Sequence, residues 1–166
     1  MTPLERLVGP LPRDAVDYRD WSDMVSTAVA EAWARDRERF IGVLLDEPSL
    51  FESSTIVFAF GIVDDARVVP PLAAALRGKD ATLRWSAAHA LAARREAVDA
   101  LLGAVRDRSS SVRGVVFEAL GNLRDRRALP ALKEALTRPS NAKDAYLRKL
   151  LEAAIKKLDR GPPKTT

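Results

Sequence analysis

Phe60-Gly61-Ile62-Val63-Asp64-Asp65-Ala66-Arg67-Val68-Val69-Pro70-Pro71-Leu72 and Leu120-Gly121-Asn122-Leu123-Arg124-Asp125-Arg126-Arg127-Ala128-Leu129-Pro130-Ala131-Leu132 decide how this sequence reads. Laid over one another at an offset of 60, they share Gly, Asp, Arg, Pro and the closing Leu, and their apolar positions agree. Sixty is two periods of about thirty. The intermediate copy is in place: Leu83-Arg84-Trp85-Ser86-Ala87-Ala88-His89-Ala90-Leu91 precedes Val112-Arg113-Gly114-Val115-Val116-Phe117-Glu118-Ala119-Leu120 by 29 residues. A later copy starts at Leu147-Arg148 and runs through Ala154-Ile155 to Leu158. Self-similarity at this period marks an array whose units cannot bury their apolar faces alone and must stack.

Each copy reads as two helices. A helix start needs a side-chain acceptor for its orphan N–H groups, and Ser49, Asp80, Ser109 and Asp144 recur at the matching place. Ser49 with Glu52 has the spacing of a capping box. Apolar residues then follow helical spacing, as in Val112, Val116, Ala119, Leu120 and Leu123. Gly61 or Gly121 marks the end of the first helix region, and Pro70 or Pro130 sits in the first turn of the second. Second helices are expected close to 71–76, 98–105 and 130–136. Upstream, Asp20 is a candidate cap for a helix carrying Trp21, Met24, Val25, Ala28, Val29 and Ala32. A second helix with Phe40, Ile41, Leu44 and Leu45 then stops before Pro48.

The expected architecture is therefore all-α, a right-handed α-solenoid of about five helix pairs. Residues 1–13 read as an N-terminal tail and 14–48 as a degenerate capping pair. Repeats occupy 49–160 (49–79, 80–108, 109–143 and 144–160), and 161–166 read as a C-terminal tail.

The pattern VR…AL-G-L-D-R-AL-P-AL…AL at this period resembles the short HEAT-like repeats of the phycobilisome-lyase type, over about residues 49–158. In that family an Asp near the first cap and an Arg just inside the first helix form a polar ladder between stacked repeats. Asp80 with Arg84 and Asp144 with Arg148 match that motif, and Arg113 matches with Ser109 as its cap. Ser53 stands at the Arg position of the first copy, so the resemblance implies a ladder broken there. The T-P-L-H signature of ankyrin repeats and the W–LG–Y pattern of tetratricopeptide repeats are both missing. The motif speaks for fold far more than for function.

Composition narrows the chemistry. At 166 residues with 47% hydrophobic and 30% charged, the chain has enough apolar material for a core. It has no Cys, which excludes disulfides, thiol catalysis and thiolate-bound metals. It has one His, too few for a His-based metal cluster, and the His-Glu pairs of the resembled family's metal-dependent members are missing. The longest apolar run, residues 56–63, is too short to span a bilayer, and no segment reads as a signal-peptide core. A cytoplasmic, soluble protein with no cofactor is expected. Charge is uneven: residues 1–48 hold 6 Lys and Arg against 10 Asp and Glu, and residues 49–166 hold 21 against 13. That asymmetry favours an anionic partner, or a head-to-tail contact between neighbouring molecules.

The candidate residues each carry two readings. Arg67, Arg94, Arg95, Arg124, Arg126 and Arg127 fall in the turns between paired helices, with Lys156, Lys157 and Arg160 ending the row. Such a line of cations suits a phosphate backbone or an acidic protein surface. The plainer reading pairs Arg67 and Arg127 with Asp65 and Asp125 and leaves the rest solvated. Asp64 and Asp65 share a register with Asp125, which favours a structural turn role over acid–base work. His89 lies four residues after Trp85 and reads as a surface residue. Trp85, with Phe58, Phe117 and His89, is a candidate apolar strip on the first helices, whereas core or capping positions suit Trp21 and Trp33.

The favoured function is a non-catalytic protein–protein interaction module: a scaffold, adaptor or regulatory subunit. The alternative is nucleic-acid or polyanion binding along the basic turns. A lyase or lyase-accessory role follows only from the repeat subtype and comes with no nominated catalyst.

Overall fold

The computed structural model describes residues 1–11 and 17–160. Those residues form helices and contain no strand. They divide into two compact units, the first up to residue 90 and the second from residue 91.

In the first unit the N-terminus departs from the tail expected there. Pro3–Val8 form α1, closed by a capping box in which Thr2 Oγ1 accepts from Glu5 N–H at 3.1 Å and Glu5 Oε2 accepts from Thr2 N–H at 2.7 Å. Leu4 and Leu7 are buried, and α1 packs on the two helices that follow. The signal was present in Thr2-Pro3-Leu4-Glu5, a capping box with Pro at the first helical position.

Helix α2 spans Tyr18–Arg35 and buries Val25, Val29, Ala32 and Trp33. Its cap is Asp17, whose carboxylate accepts from the N–H groups of Arg19 and Asp20, so Asp20 lies inside the helix and exposed. Asp36 ends α2 and caps α3, Arg37–Asp46, which buries Phe40, Ile41 and Leu44 while Leu45 faces outward. Trp33 meets Phe40 edge-on at 5.7 Å.

The Ser49–Glu52 capping box does not form. Pro48–Glu52 is a 3-10 turn without a side-chain cap, and it buries Leu50 and Phe51 instead. Burial decides here, since Phe51 packs on Phe60 at 5.3 Å and contributes more than one capping bond. Helix α4, Ser54–Ala59, follows, then α5, Val69–Ala75, and α6, Ala81–Leu91. Asp80 caps α6, accepting from Leu83 N–H at 2.7 Å.

In the second unit α7 spans Val98–Gly103, α8 Ser110–Leu123, α9 Leu129–Thr137, α10 Pro139–Ala142 and α11 Ala145–Asp159. Helix α8 is buried almost all round, and α11 packs against both α8 and α9. Pro130 stands in the first turn of α9, as its fixed φ allows. The C-terminal tail expected at 161–166 lies outside the described residues.

Gly121 does not end a helix. It lies within α8, where a Cβ would come within 2.8 Å of the Ala154 Cα and Cβ on α11. Gly61, its counterpart at an offset of 60, leaves 3.5 Å to the Ala90 Cα. Gly121→Ala is therefore expected to lower stability by about 1–3 kcal/mol, because two helix backbones must separate. Gly61→Ala is expected to stay within about 0.5 kcal/mol. Urea unfolding of the two variants beside the parent tests the contrast, and equal costs would sink it.

Candidate functional site

The turn arginines resolve into a repeated clasp. Arg67 Nε and Nη2 donate to the Asp65 carboxylate at 2.7–3.2 Å, while Nη1 and Nη2 donate to Glu38 at 3.0 and 2.9 Å. Arg127 repeats this, donating to Asp125 at 2.8–3.1 Å and to Asp99 at 3.1 Å. The turn acid sits two residues before each arginine, and the second acid lies 29 and 28 residues upstream, in the preceding copy. Asp65 and Asp125 also accept from the arginines' own N–H groups, the geometry of an Asx turn. Hydrogen bonds from Arg127 hold the Asp125 carboxyl below the usual aspartate range, and Arg67 does the same to Glu38. Both guanidiniums are held the more firmly protonated.

The middle copy inverts the polarity. Arg94 stands at the register of Asp65 and Asp125, and Glu96 at that of Arg67 and Arg127. Arg94, expected as an exposed turn cation, is buried at 8% exposure. Arg95 and Arg126 are exposed, and the charge of Arg95 reaches Asp125. Arg124 is the left-handed terminator of α8, at φ 54°. Lys157 donates to Asn122 at 2.5 Å, while Lys156 is exposed. The six turn arginines thus do not form one free cationic line.

The ladder residues also divide. Arg84, 3% exposed, donates through Nη1 to the carbonyls of Gly78 and Lys79 at 3.1 and 2.8 Å. Arg113 does the same to Asp107 and Arg108, at 2.8 and 3.3 Å. Each guanidinium reaches back six and five residues and ties the turn that precedes its own helix. Arg113 Nε also donates to Asn141 Oδ1 at 2.9 Å, and Asn141 Nδ2 donates to the Ala135 carbonyl at 2.9 Å. The partner of Arg113 is therefore Asn141 on α10, at the end of the same copy. Asp144 instead caps α11 through the N–H groups of Tyr146 and Leu147. Arg148, expected in the ladder, is exposed and makes no side-chain hydrogen bond or ion pair among the described residues.

The residues of the candidate aromatic strip divide as well. Phe58 on α4 stacks parallel to Trp85 on α6 at 5.7 Å, with 5° between the planes. His89, one turn after Trp85, stands edge-on to it at 4.2 Å and to Phe58 at 5.7 Å. Phe58 is 41% exposed and Ile62, just beyond it, 47%. Phe117 does not join them, because α8 is enclosed and the ring is fully buried. Trp33 is core. Trp21 lines an open apolar cavity of about 520 Å³ with Pro3, Leu4, Leu11, Leu50 and Ile56, whose wall includes the α1 helix.

Among the described residues no group of three metal-ligating side chains forms, and no helix is long and apolar enough to cross a membrane.

Short helices paired through turns, recurring at a period near thirty and tied by buried arginines, define an α-helical repeat protein. A family model for HEAT repeats matches residues 69–156, more than half of the chain, and the protein belongs to the HEAT-repeat family. No curated protein gives a significant match.

Two outcomes check this geometry. Asn141→Ala leaves the Ala135 carbonyl and the Arg113 Nε–H unpaired and is expected to cost about 1–3 kcal/mol in urea unfolding. Arg148→Ala is expected to cost under about 0.5 kcal/mol. Separately, a carboxyl carbon titration by NMR should place Asp125 below the usual aspartate range and move it upward in Arg127→Gln. The linked stability is present above the ordinary aspartate pKa and is lost as pH falls through the depressed value. An Asp125 titration that ignores the substitution would refute the clasp.

Proposed function

We propose that this protein is a non-catalytic docking module, a scaffold, adaptor or regulatory subunit of cytoplasmic assemblies. HEAT repeats commonly serve protein interaction. The observation that carries the reading here is the Phe58–Trp85–His89 cluster with Ile62 beside it. Aromatic rings stacked and fixed at the surface lose little entropy on binding, and such anchors supply much of the energy in protein interfaces. The polyanion reading is weaker at the turns, because Arg67 and Arg127 are each clasped between two carboxylates and Arg94 is buried.

The test is titration calorimetry with a partner first captured from cell extract and then purified. Phe58→Ser, at an exposed position, and Trp85→Ala are each expected to weaken binding by about 2 kcal/mol. Arg95→Ala with Arg126→Ala should change it by less than about 0.5 kcal/mol. Binding that depends on the arginines and ignores the rings would overturn the proposal in favour of the basic turns.

A further inference from the structure

A second surface, separate from the aromatic cluster, carries its own complement within the same chain. Counted by compact unit, residues 1–90 hold 10 Lys and Arg against 14 Asp and Glu, and residues 91–166 hold 17 against 9. Helix α2 carries part of the acidic excess: three acids, Asp20, Asp23 and Glu31, against Arg19 and Arg35, which are exposed at its flanks. Asp20, Asp23 and Glu31 lie along one exposed strip, separated by exposed Thr27 and Ala30, and their carboxylates have no ion-pair partner among the described residues. The basic excess has a matching strip on α11. Lys149 and Lys156, with Arg160 at the cap just past the helix end, follow one exposed face around Ala153, beside Tyr146 at 66% exposure. These three cations also have no ion-pair partner among the described residues. Glu152, Asp159 and Arg148 fall on the flank of that face, where Asp159 lies 3.9 Å from Lys133.

The two strips have the same dimensions. Asp20 and Glu31, like Lys149 and Arg160, are eleven positions apart, three helical turns or about 16 Å. Set antiparallel with Asp20 opposite Arg160, the register places Asp23 beside Lys156 and Glu31 opposite Lys149. Small residues, Thr27 and Ala153, meet at the centre, and Ala34 comes opposite Tyr146. The small side chains allow close approach of the axes. The antiparallel sense also sets the positive N-terminal end of α2 against the negative C-terminal end of α11.

We propose that α2 of one copy docks on α11 of a second copy, so that the protein self-associates through unlike surfaces. Three acid–base pairs at matched spacing favour another copy over nucleic acid, whose phosphates would leave the carboxylate strip without a role. Such a contact either closes or propagates, and its strength falls as salt shortens the Debye length below about 10 Å.

Sedimentation velocity of the full chain tests this. At low ionic strength the average mass should rise with concentration from micromolar upward, and it should return to monomer in high salt. Lys149→Glu with Lys156→Glu and Arg160→Glu should weaken association by about tenfold or more, as should Asp20→Lys with Asp23→Lys and Glu31→Lys. An equimolar mixture of the two charge-reversed proteins should associate again, since each supplies the face the other needs. All six positions are exposed, and unchanged circular dichroism confirms folding of both variants. Phe58→Ser should self-associate normally, which separates this contact from the docking cluster. A parent protein that stays monomeric at low salt, or a mixture that does not recover, would overturn the proposal. A monomer that binds duplex DNA through α11 would instead assign the face to a polyanion.

Discussion

The turns of this protein depend on buried arginine. Packing short helices closely leaves the carbonyls of the connecting turns part-buried, and an unpaired carbonyl shielded from water is costly. Arg84 and Arg113 answer that need with planar guanidiniums that bond two successive carbonyls each. In Arg113 the planar guanidinium also offers Nε, which donates to Asn141 while Nη1 holds the turn, a second direction that a lysine ammonium lacks. The same guanidinium thereby reaches α10, so closure of the turn before α8 and placement of the helix that leads into α11 are tied through one side chain.

The second use of arginine has a different energetic character. The Arg67 and Arg127 clasps are exposed, and exposed ion pairs contribute little to stability because water and salt screen them. Their value lies in geometry: each fixes a turn to an acid one period upstream, and each neutralises a cation that otherwise reads as part of a binding edge. The inverted middle copy follows the same logic. Once Arg94 takes the place of the turn aspartate and becomes buried, the row of turn cations is interrupted. Free positive charge is consequently found on the outer face of α11.

Much was legible without coordinates. The period of thirty, the Pro70 and Pro130 helix starts, the second helices and the Asp80 and Asp144 caps all follow from local rules of capping and backbone conformation. Those rules act within a few residues and survive any tertiary setting. Where local signals competed with burial, burial prevailed. Ser49 and Glu52 had the capping-box spacing, yet Leu50 and Phe51 were drawn into the core and the turn became 3-10. The Thr2–Glu5 box was equally local and did form, because Leu4 and Leu7 found α2 and α3 to pack on.

The sequence by itself determined the helical class, the repeat and the identity of the residues that cap and tie it, because these rest on short-range hydrogen bonding and on apolar periodicity. Tertiary structure alone decided which cations are free. Arg94, Arg127 and Lys156 are chemically similar and similarly spaced from their neighbours, yet one is buried, one clasped and one exposed. It likewise brought Phe58 to Trp85 and His89 while enclosing Phe117. Helices turn by 100° per residue, so a shift of one position moves a ring from solvent to core.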